Sequence, residues 1–216
     1  MRVFQDRIEA GRLLGERIAA EGRPEDAVVL GLPRGGVPVA AEVAAELDAP
    51  LDVLVVRKLG VPGQEEVAMG AVGEGDALVL NRGVIETTGV SQQDLQRSES
   101  RERAEVERRV GRFRAGRPPV PLAGRTAVVV DDGMATGATA AVGCRIARAR
   151  GAARVVLAVP VAAPDTLASF EAADEIVCLA APPRFMAVGQ YYVDFTQVED
   201  AEVVRLLDAR SRGRRG

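Results

Sequence analysis

Apolar residues Ile8, Leu13, Leu14 and Ile18 recur at helical spacing through residues 3–21, and Gly22 supplies a stop. The period then changes. Residues 27–32 (AVVLGL) form a continuous apolar run closed by Pro33-Arg34-Gly35-Gly36, which predicts a buried strand followed by a tight loop. Residues 37–47 return to a helical pattern, and 51–56 (LDVLVV) read as a second strand ending at Arg57-Lys58. Residues 59–76 are rich in glycine and polar side chains, with Pro62-Gly63-Gln64-Glu65-Glu66 at the tip and short strands at 67–72 and 77–80. Residues 91–114 carry many charges and few apolar positions, the pattern of a surface helix, and Pro118-Pro119-Val120-Pro121 breaks it. The remainder alternates: strand 126–130, helix 136–150, strand 154–160, short helix 164–172, strand 175–179, an aromatic stretch at 185–198, and a closing helix at 201–210. The basic tail 210–216 is expected to be disordered.

Strands that alternate with helices predict an α/β fold with a mainly parallel central sheet and helices on both faces. The chain shows neither an internal repeat nor a domain boundary. The expected organisation is therefore one domain over residues 1–216, with a small C-terminal hood at 182–198.

Composition narrows the chemistry more than the fold. The 216 residues are 47% hydrophobic and 27% charged, as in ordinary globular proteins. No apolar run reaches the roughly 18 residues of a membrane span, and residues 1–22 mix charges through their apolar positions, unlike a signal peptide. The expectation is a cytoplasmic protein. No histidine is present, which excludes Ser-His-Asp and Cys-His catalysis, histidine-ligated zinc and imidazole bases. Cys144 and Cys178 stand apart within a helix and a strand and read as buried thiols. The net charge of −3 gives no overall drive toward nucleic acid. Lys58 is the only lysine, and this arginine bias identifies no function.

Residues 126–140 (TAVVVDDGMATGATA) carry the most information. The apolar run puts Asp131 and Asp132 at the carboxyl end of a strand, where open α/β sheets bind ligands. Adjacent acids repel one another and are either solvated or partnered. Vicinal sugar hydroxyls, with or without Mg²⁺, suit them. Ala135-Thr136-Gly137-Ala138-Thr139 then opens a helix whose free N–H groups and positive dipole end favour a phosphate. Thr136 and Thr139 add hydroxyl donors, and Gly137 permits close backbone approach. A phosphate and a sugar diol would thus lie side by side. The segment has neither the Gly-Lys-Ser/Thr of a nucleotide P-loop nor a GxGxxG dinucleotide pattern.

The stretch resembles the 5-phosphoribosyl-1-pyrophosphate (PRPP) motif of type I phosphoribosyltransferases: hydrophobic strand, two acids, a short spacer, then T-G-x-T. Three other segments resemble that family in the same order. Residues 32–36 resemble its pyrophosphate loop, which implies pyrophosphate binding by Arg34, Gly35 and Gly36. Residues 59–76 stand where the family has a mobile loop. Arg57 and Lys58 just before it would either contact pyrophosphate or form a solvated strand end. Residues 184–195 resemble the base-covering hood of purine members, although one extra residue separates Gly189 from Asp194. The resemblance makes Phe185, Val188, Tyr191, Tyr192 and Asp194 base-binding candidates; the aromatics either stack on a flat heterocycle or plug the core.

The resemblance implies transfer of the phosphoribosyl group to a nucleobase or related nitrogen heterocycle, with release of pyrophosphate. Mg²⁺ would be held through pyrophosphate and ribose oxygens, with Asp131 and Asp132 as further ligands or as holders of the diol. Family members acting on 6-oxopurines carry an aspartate where this chain has Ala135, so hypoxanthine and guanine are disfavoured; Glu65, Glu66 or Asp194 are alternative sources of a carboxylate. A homodimer is a further expectation. A non-catalytic PRPP or nucleotide sensor on the same fold is the alternative, because fold does not dictate activity. A nucleic-acid-binding role, invited by arginines in 91–114 and 210–215, is disfavoured by the interspersed acids.

Overall fold

The computed structural model describes residues 4–213. The chain begins with α1 (Arg7–Gly22), β1 (Ala27–Gly31), α2 (Gly36–Glu46) and β2 (Leu51–Val53). It continues through β3 (Arg57–Val61), β4 (Gln64–Val72), β5 (Leu78–Leu80), α3 (Arg82–Thr88) and α4 (Gln92–Arg114). The last part holds β6 (Thr126–Val130), α5 (Ala138–Ala149), β7 (Arg154–Val161), α6 (Pro164–Ala168), β8 (Glu175–Ala180), a 3₁₀ turn (Val188–Tyr191) and α7 (Asp200–Gly213).

The central sheet is parallel throughout, in the order β2-β1-β6-β7-β8. Its inner strands are buried on both sides because runs such as AVVLG and TAVVV offer apolar side chains to each face in turn. Val29, Val128, Val130 and Val156 pack on one face with Leu14 and Ile18 of α1 and Val37 and Val43 of α2. Val28, Leu30, Val129 and Leu157 pack on the other with Cys144, Ile146 and Ala147 of α5. Each fully buried side chain of this kind contributes about 1.5–3 kcal/mol. Cys144 is buried, and burial pushes its thiol up to about 12. Cys178 is half-buried and donates to the Ala180 carbonyl at 3.2 Å.

The middle of the chain departs from the expectation. The strand predicted over 51–56 ends at Val53, and Arg57-Lys58 open β3 instead. β4 and β5 lie where short strands are expected at 67–72 and 77–80, but β4 starts at Gln64 and β3 occupies the first part of the segment expected as a mobile loop over 59–76, so that all three form an antiparallel sheet, β3-β4-β5. The alternation that builds β3 is short: Leu59 and Val61 turn into the core with Met69, while Pro62 to Glu65 at the tip are exposed. Its glycines fit this sheet because a Cβ on Gly60 would lie 2.6 Å from the Glu65 carbonyl oxygen. The helix α3, capped by Asn81, has no apolar stripe and was not legible. The charged helix expected at 91–114 is α4, with Ser91 as its N-cap. The closing helix runs through Gly213, past its expected end at Arg210; of the expected tail, residues 214–216 lie outside the described residues.

Arg114, at the end of α4, lies in an ionic cluster with side-chain exposures of 5–8%. Its Nε and Nη2 donate to both oxygens of Asp52 at 2.9 and 2.8 Å, and Nη1 reaches Glu74 at 2.5 Å. Asp52 also accepts from the Val120 N–H at 2.9 Å. The guanidinium thus joins the edge strand β2 to the β4–β5 turn, and the Asp52 carboxylate ties in the proline-rich linker before β6.

Strand order reverses at β1. The chain steps outward from β1 to β2, then returns on the other side of β1 as β6. Open α/β sheets bind ligands outside the carboxyl ends of the strands at such a reversal.

Candidate functional site

The segments after β1 and β6 meet at this reversal. Parallel pairing of Gly31 with Val130 places the two strand ends level, and the Leu32 N–H donates to the Val130 carbonyl at 2.9 Å. Asp131 and Asp132 follow immediately. The chain then runs beside the end of β7, held by Met134 N–H to the Val161 carbonyl (2.8 Å) and Ala163 N–H to the Met134 carbonyl (2.9 Å).

The turn after the acids is open. Ala135, Thr136, Ala138 and Thr139 are exposed. Among the described residues, no hydrogen bond within the protein takes the N–H groups of Ala135, Thr136 or Gly137. The helix begins at Ala138 rather than at the expected Thr136, because Gly137 adopts φ +72° as the N-cap. A side chain there would be strained, and its Cβ would meet Thr166 Cγ2 at 2.9 Å. Thr166 braces the turn by donating to the Ala135 carbonyl at 2.6 Å. A cleft of about 730 Å³, lined in part by Thr136, Gly137, Arg145 and Phe170, opens beside α5 and α6; it shares the turn but not the acids.

The acids are not free. Asp132 accepts from Arg7 Nε at 2.9 Å and from Nη2 at 2.8 Å, both on Oδ2. Asp131 Oδ1 accepts from the Asp132 N–H at 2.9 Å. Burial pushes the Asp131 carboxyl well above the usual carboxylate range, and the neighbouring Asp132 charge pushes it further. Burial raises Asp132 as well, against the lowering effect of Arg7. Acids perturbed in this way at the carboxyl end of a strand are candidates for a functional site.

Gly35 and Gly36 touch this pair. A Cβ on Gly35 would fall 2.1 Å from Asp132 Oδ2, and one on Gly36 would fall 2.6 Å from the Val130 carbonyl oxygen and 2.9 Å from Asp131 Cα. The latter contacts are backbone and cannot rotate away. Gly36→Ala is expected to destabilise the protein by about 1–3 kcal/mol by forcing the two loops apart, measured by denaturant unfolding; an unchanged midpoint would show that the loop yields freely. The side chain of Arg34 reaches instead toward Asp200 at 3.4 Å, and Arg112 holds the other oxygen of Asp200 at 2.7 Å.

The remaining candidates divide. Arg57 donates through Nε to Glu102 at 2.9 Å, while Lys58 is exposed on β3. In the hood, Tyr191 and Tyr192 are 1% and 6% exposed. Of the two readings open for them, core plugs are what the fold contains: Tyr191 stacks on Phe185 with centroids 5.5 Å apart, and Tyr192 packs on Phe4. Tyr192 also donates to the Asp132 carbonyl at 2.6 Å. Phe185 and Val188 are half-buried, with Val188 packed over Gly133. Asp194 accepts from the Thr196 N–H and hydroxyl and stays below the usual carboxylate range. Glu65 lies at the exposed tip of the β3–β4 hairpin, remote in sequence from the acid pair, and the side chain of Glu66 lies outside the described ones.

Arg7, Thr166 and Asp200 carried no signal in the sequence. Each belongs to a segment without a motif and reaches the site through tertiary packing. The scarcity of aromatics did single out Tyr192, but for a stacking role rather than for its hydrogen bond to Asp132.

Among the described residues, no three His, Cys, Asp or Glu side chains gather around a common centre. Two carboxylates, one already holding an arginine, fit a Mg²⁺ ion that keeps most of its ligands as water and substrate oxygens. Nor is any described helix long and apolar enough to cross a membrane.

Residues 5–195 match the family model for the phosphoribosyl transferase domain. Two Mycobacterium tuberculosis proteins (strains CDC 1551 / Oshkosh and ATCC 25618 / H37Rv), each named "Putative phosphoribosyl transferase", are 55% identical over 213 residues, which is 98% of this chain and 48% of theirs. The chain therefore spans about half the length of these curated relatives. The crystal structure of TT1426 from Thermus thermophilus superposes with a TM-score of 0.88 at 47% identity, over 96% of this chain and 98% of that one. A hypothetical protein from Neisseria gonorrhoeae, with bound ppGpp, shares the fold at a TM-score of 0.51 and 12% identity, over 97% of each chain. With most of its length inside the family model, this chain belongs to the phosphoribosyl transferase domain family.

Proposed function

We propose that the protein is a transferase that binds PRPP at the β1–β6 reversal and passes its phosphoribosyl group to a nitrogen heterocycle. The observation that carries this reading is the open turn 135–139 beside the paired acids, with Gly35 packed on Asp132. The 5′-phosphate would accept from the N–H groups of Ala135 to Thr139 and from the Thr136 and Thr139 hydroxyls. The ribose hydroxyls would donate to Asp131 and Asp132. Pyrophosphate would lie over Gly35 and Gly36, with Arg34 turning from Asp200 toward it; Arg57 and Lys58 are further candidates, Arg57 having to leave Glu102 to reach it. Phe185 and Val188 would border the heterocycle.

In the transfer, the bond from ribose C1 to pyrophosphate breaks and a bond from C1 to a ring nitrogen forms. Positive charge develops on the sugar and negative charge on the leaving group. Asp131 and Asp132, on the ribose hydroxyls, would balance the first; Arg34 would receive the second, since the Gly36 N–H already donates to the Leu32 carbonyl at 3.0 Å. The chemistry supplied by Mg²⁺, when bound with the diphosphate, is neutralisation of the leaving group. Ala135 offers no base to a purine ring, which favours acceptors that lose their proton without one. We further propose a single domain over residues 1–216, working in the cytoplasm.

The test is pyrophosphate release from PRPP and Mg²⁺ across a panel of purine, pyrimidine and related bases, alongside PRPP titration by calorimetry. Turnover with one base class supports the transferase. Tight PRPP binding without turnover would make the protein a sensor, and absence of PRPP binding would sink both.

A further inference from the structure

Arg7 belongs to none of the family-like segments, yet its guanidinium is the nearest cation to the acid pair. It opens α1, and its side chain is 11% exposed. Fixed groups hold it on several sides. Nε and Nη2 both donate to Asp132 Oδ2, Nη1 donates to the Thr196 carbonyl at 2.9 Å, and the guanidinium carbon lies 4.0 Å from the Phe195 ring centroid and 5.9 Å from that of Tyr192. The backbone just before it is tied down too: the Phe4 N–H donates to the Tyr191 carbonyl, and the Val193 and Asp194 N–H groups donate to the carbonyls of Phe4 and Gln5. The other arginine of the reversal, Arg34, is engaged by Asp200.

We propose that Arg7 is a positioning residue that reserves the Asp131–Asp132 pair for the uncharged diol of a sugar and keeps a free divalent cation out of it. This inference rests on the reading of the pair as a sugar site. Two adjacent carboxylates without a partner carry two negative charges and offer hard oxygen ligands, the ingredients of a Mg²⁺ or Mn²⁺ site. With Arg7 in place, one of those charges is already matched. A divalent ion entering the pair would meet a guanidinium that the Thr196 carbonyl and the Phe195 ring prevent from moving aside. A diol meets no such repulsion. Arg7 occupies only Oδ2 of Asp132, and the Asp132 N–H only Oδ1 of Asp131, so lone pairs on the other oxygens remain for sugar hydroxyls. Metal would then join only together with the sugar phosphate, whose own oxygens supply the missing charge.

The experiment uses Mn²⁺ alone, followed by electron paramagnetic resonance of the free ion. Wild-type protein, Arg7→Gln and Arg7→Lys are each compared with the same chain carrying Asp131→Asn and Asp132→Asn. Wild type and Arg7→Lys are expected to bind Mn²⁺ no more tightly than their asparagine counterparts. Arg7→Gln should bind one ion about tenfold more tightly or better, because charge count sets affinity for hard cations, and should lose it in the asparagine background. Mn²⁺ binding by wild type that vanishes in the asparagine variant would overturn the proposal, and this arm needs no Arg7 variant to fold. So would an Arg7→Gln protein that melts cooperatively and gains no ion. Because no sugar phosphate is present, failure here leaves the PRPP titration intact, and failure of that titration leaves this comparison readable.

Discussion

Arg114→Leu should lower the stability of the protein by about 3–5 kcal/mol, because it removes one partner of a buried ion pair and leaves the other charge unmatched. For a chain of this length that is a drop of about 6–20 °C in melting temperature, read by thermal denaturation at neutral pH. The magnitude follows from where the guanidinium lies. Asp52 is 4% exposed and takes two of its hydrogen bonds, while Glu74 takes a third. Burial already pushes the Glu74 carboxyl above its ordinary value, and Arg114 is the main opposing influence. Without it, Glu74 keeps only the more distant Arg150, 3.8 Å away, and is expected to take up a proton more readily, whereas Asp52 is left facing the Val53 and Val120 N–H groups. Adding Asp52→Asn and Glu74→Gln to Arg114→Leu should recover part of the loss, since amides still offer acceptors to those N–H groups without a buried carboxylate. A single Arg114 variant that melts with the wild type would show that the cluster is solvated and contributes little.

The second large effect concerns the acid pair and separates function from stability. Asp131→Asn is expected to weaken PRPP binding about 10- to 100-fold, the loss of a hydrogen bond to a charged acceptor, while making the ligand-free protein more stable at neutral pH. The sign follows from the raised carboxyl. Between its ordinary value and its raised one, the folded chain binds more protons at Asp131 than the unfolded chain, so stability falls as pH rises through that window. Asparagine removes the ionisation and should flatten that part of the profile. The measurement is melting temperature from about pH 4 upward for both proteins, with PRPP titration beside it. Unchanged PRPP binding together with a lower melting temperature would make Asp131 a structural residue.

These two clusters differ in how far they could be read from the chain. The acids of the reversal announce themselves because local chemistry is repetitive: a β-branched run predicts a buried strand, and charges at its end can only face the strand-end crevice. The same locality marked Gly137 for close backbone approach, whereas its positive φ, which delays the helix to Ala138, appears only in the structure. Arg114, Asp52 and Glu74 carry no such mark. Arg114 lies 62 positions from Asp52 in a chain with 28 basic and 31 acidic residues, and spacing alone cannot choose among so many pairings.

The hairpin β3–β4 shows the opposite failure. The strands at 67–72 and 77–80 are legible, but the glycines before them suggest a loop; they serve close strand approach, as Gly60 does against Glu65, and only the buried partners of Leu59 and Val61 reveal β3. The hood was similar: its aromatics were visible, but whether Tyr191 and Tyr192 face a ligand or the core depends on Phe4 and Phe185, which reach them from other segments or around the turn.

Period and turn chemistry act over a few residues, so the amino-acid sequence by itself determined the parallel α/β architecture, the end of β6 and the open turn after it. Which side chains face one another across the chain depends on packing between distant elements. Only the tertiary structure decided that Arg7 lies on Asp132, that Asp200 holds Arg34 and that the tyrosines turn inward.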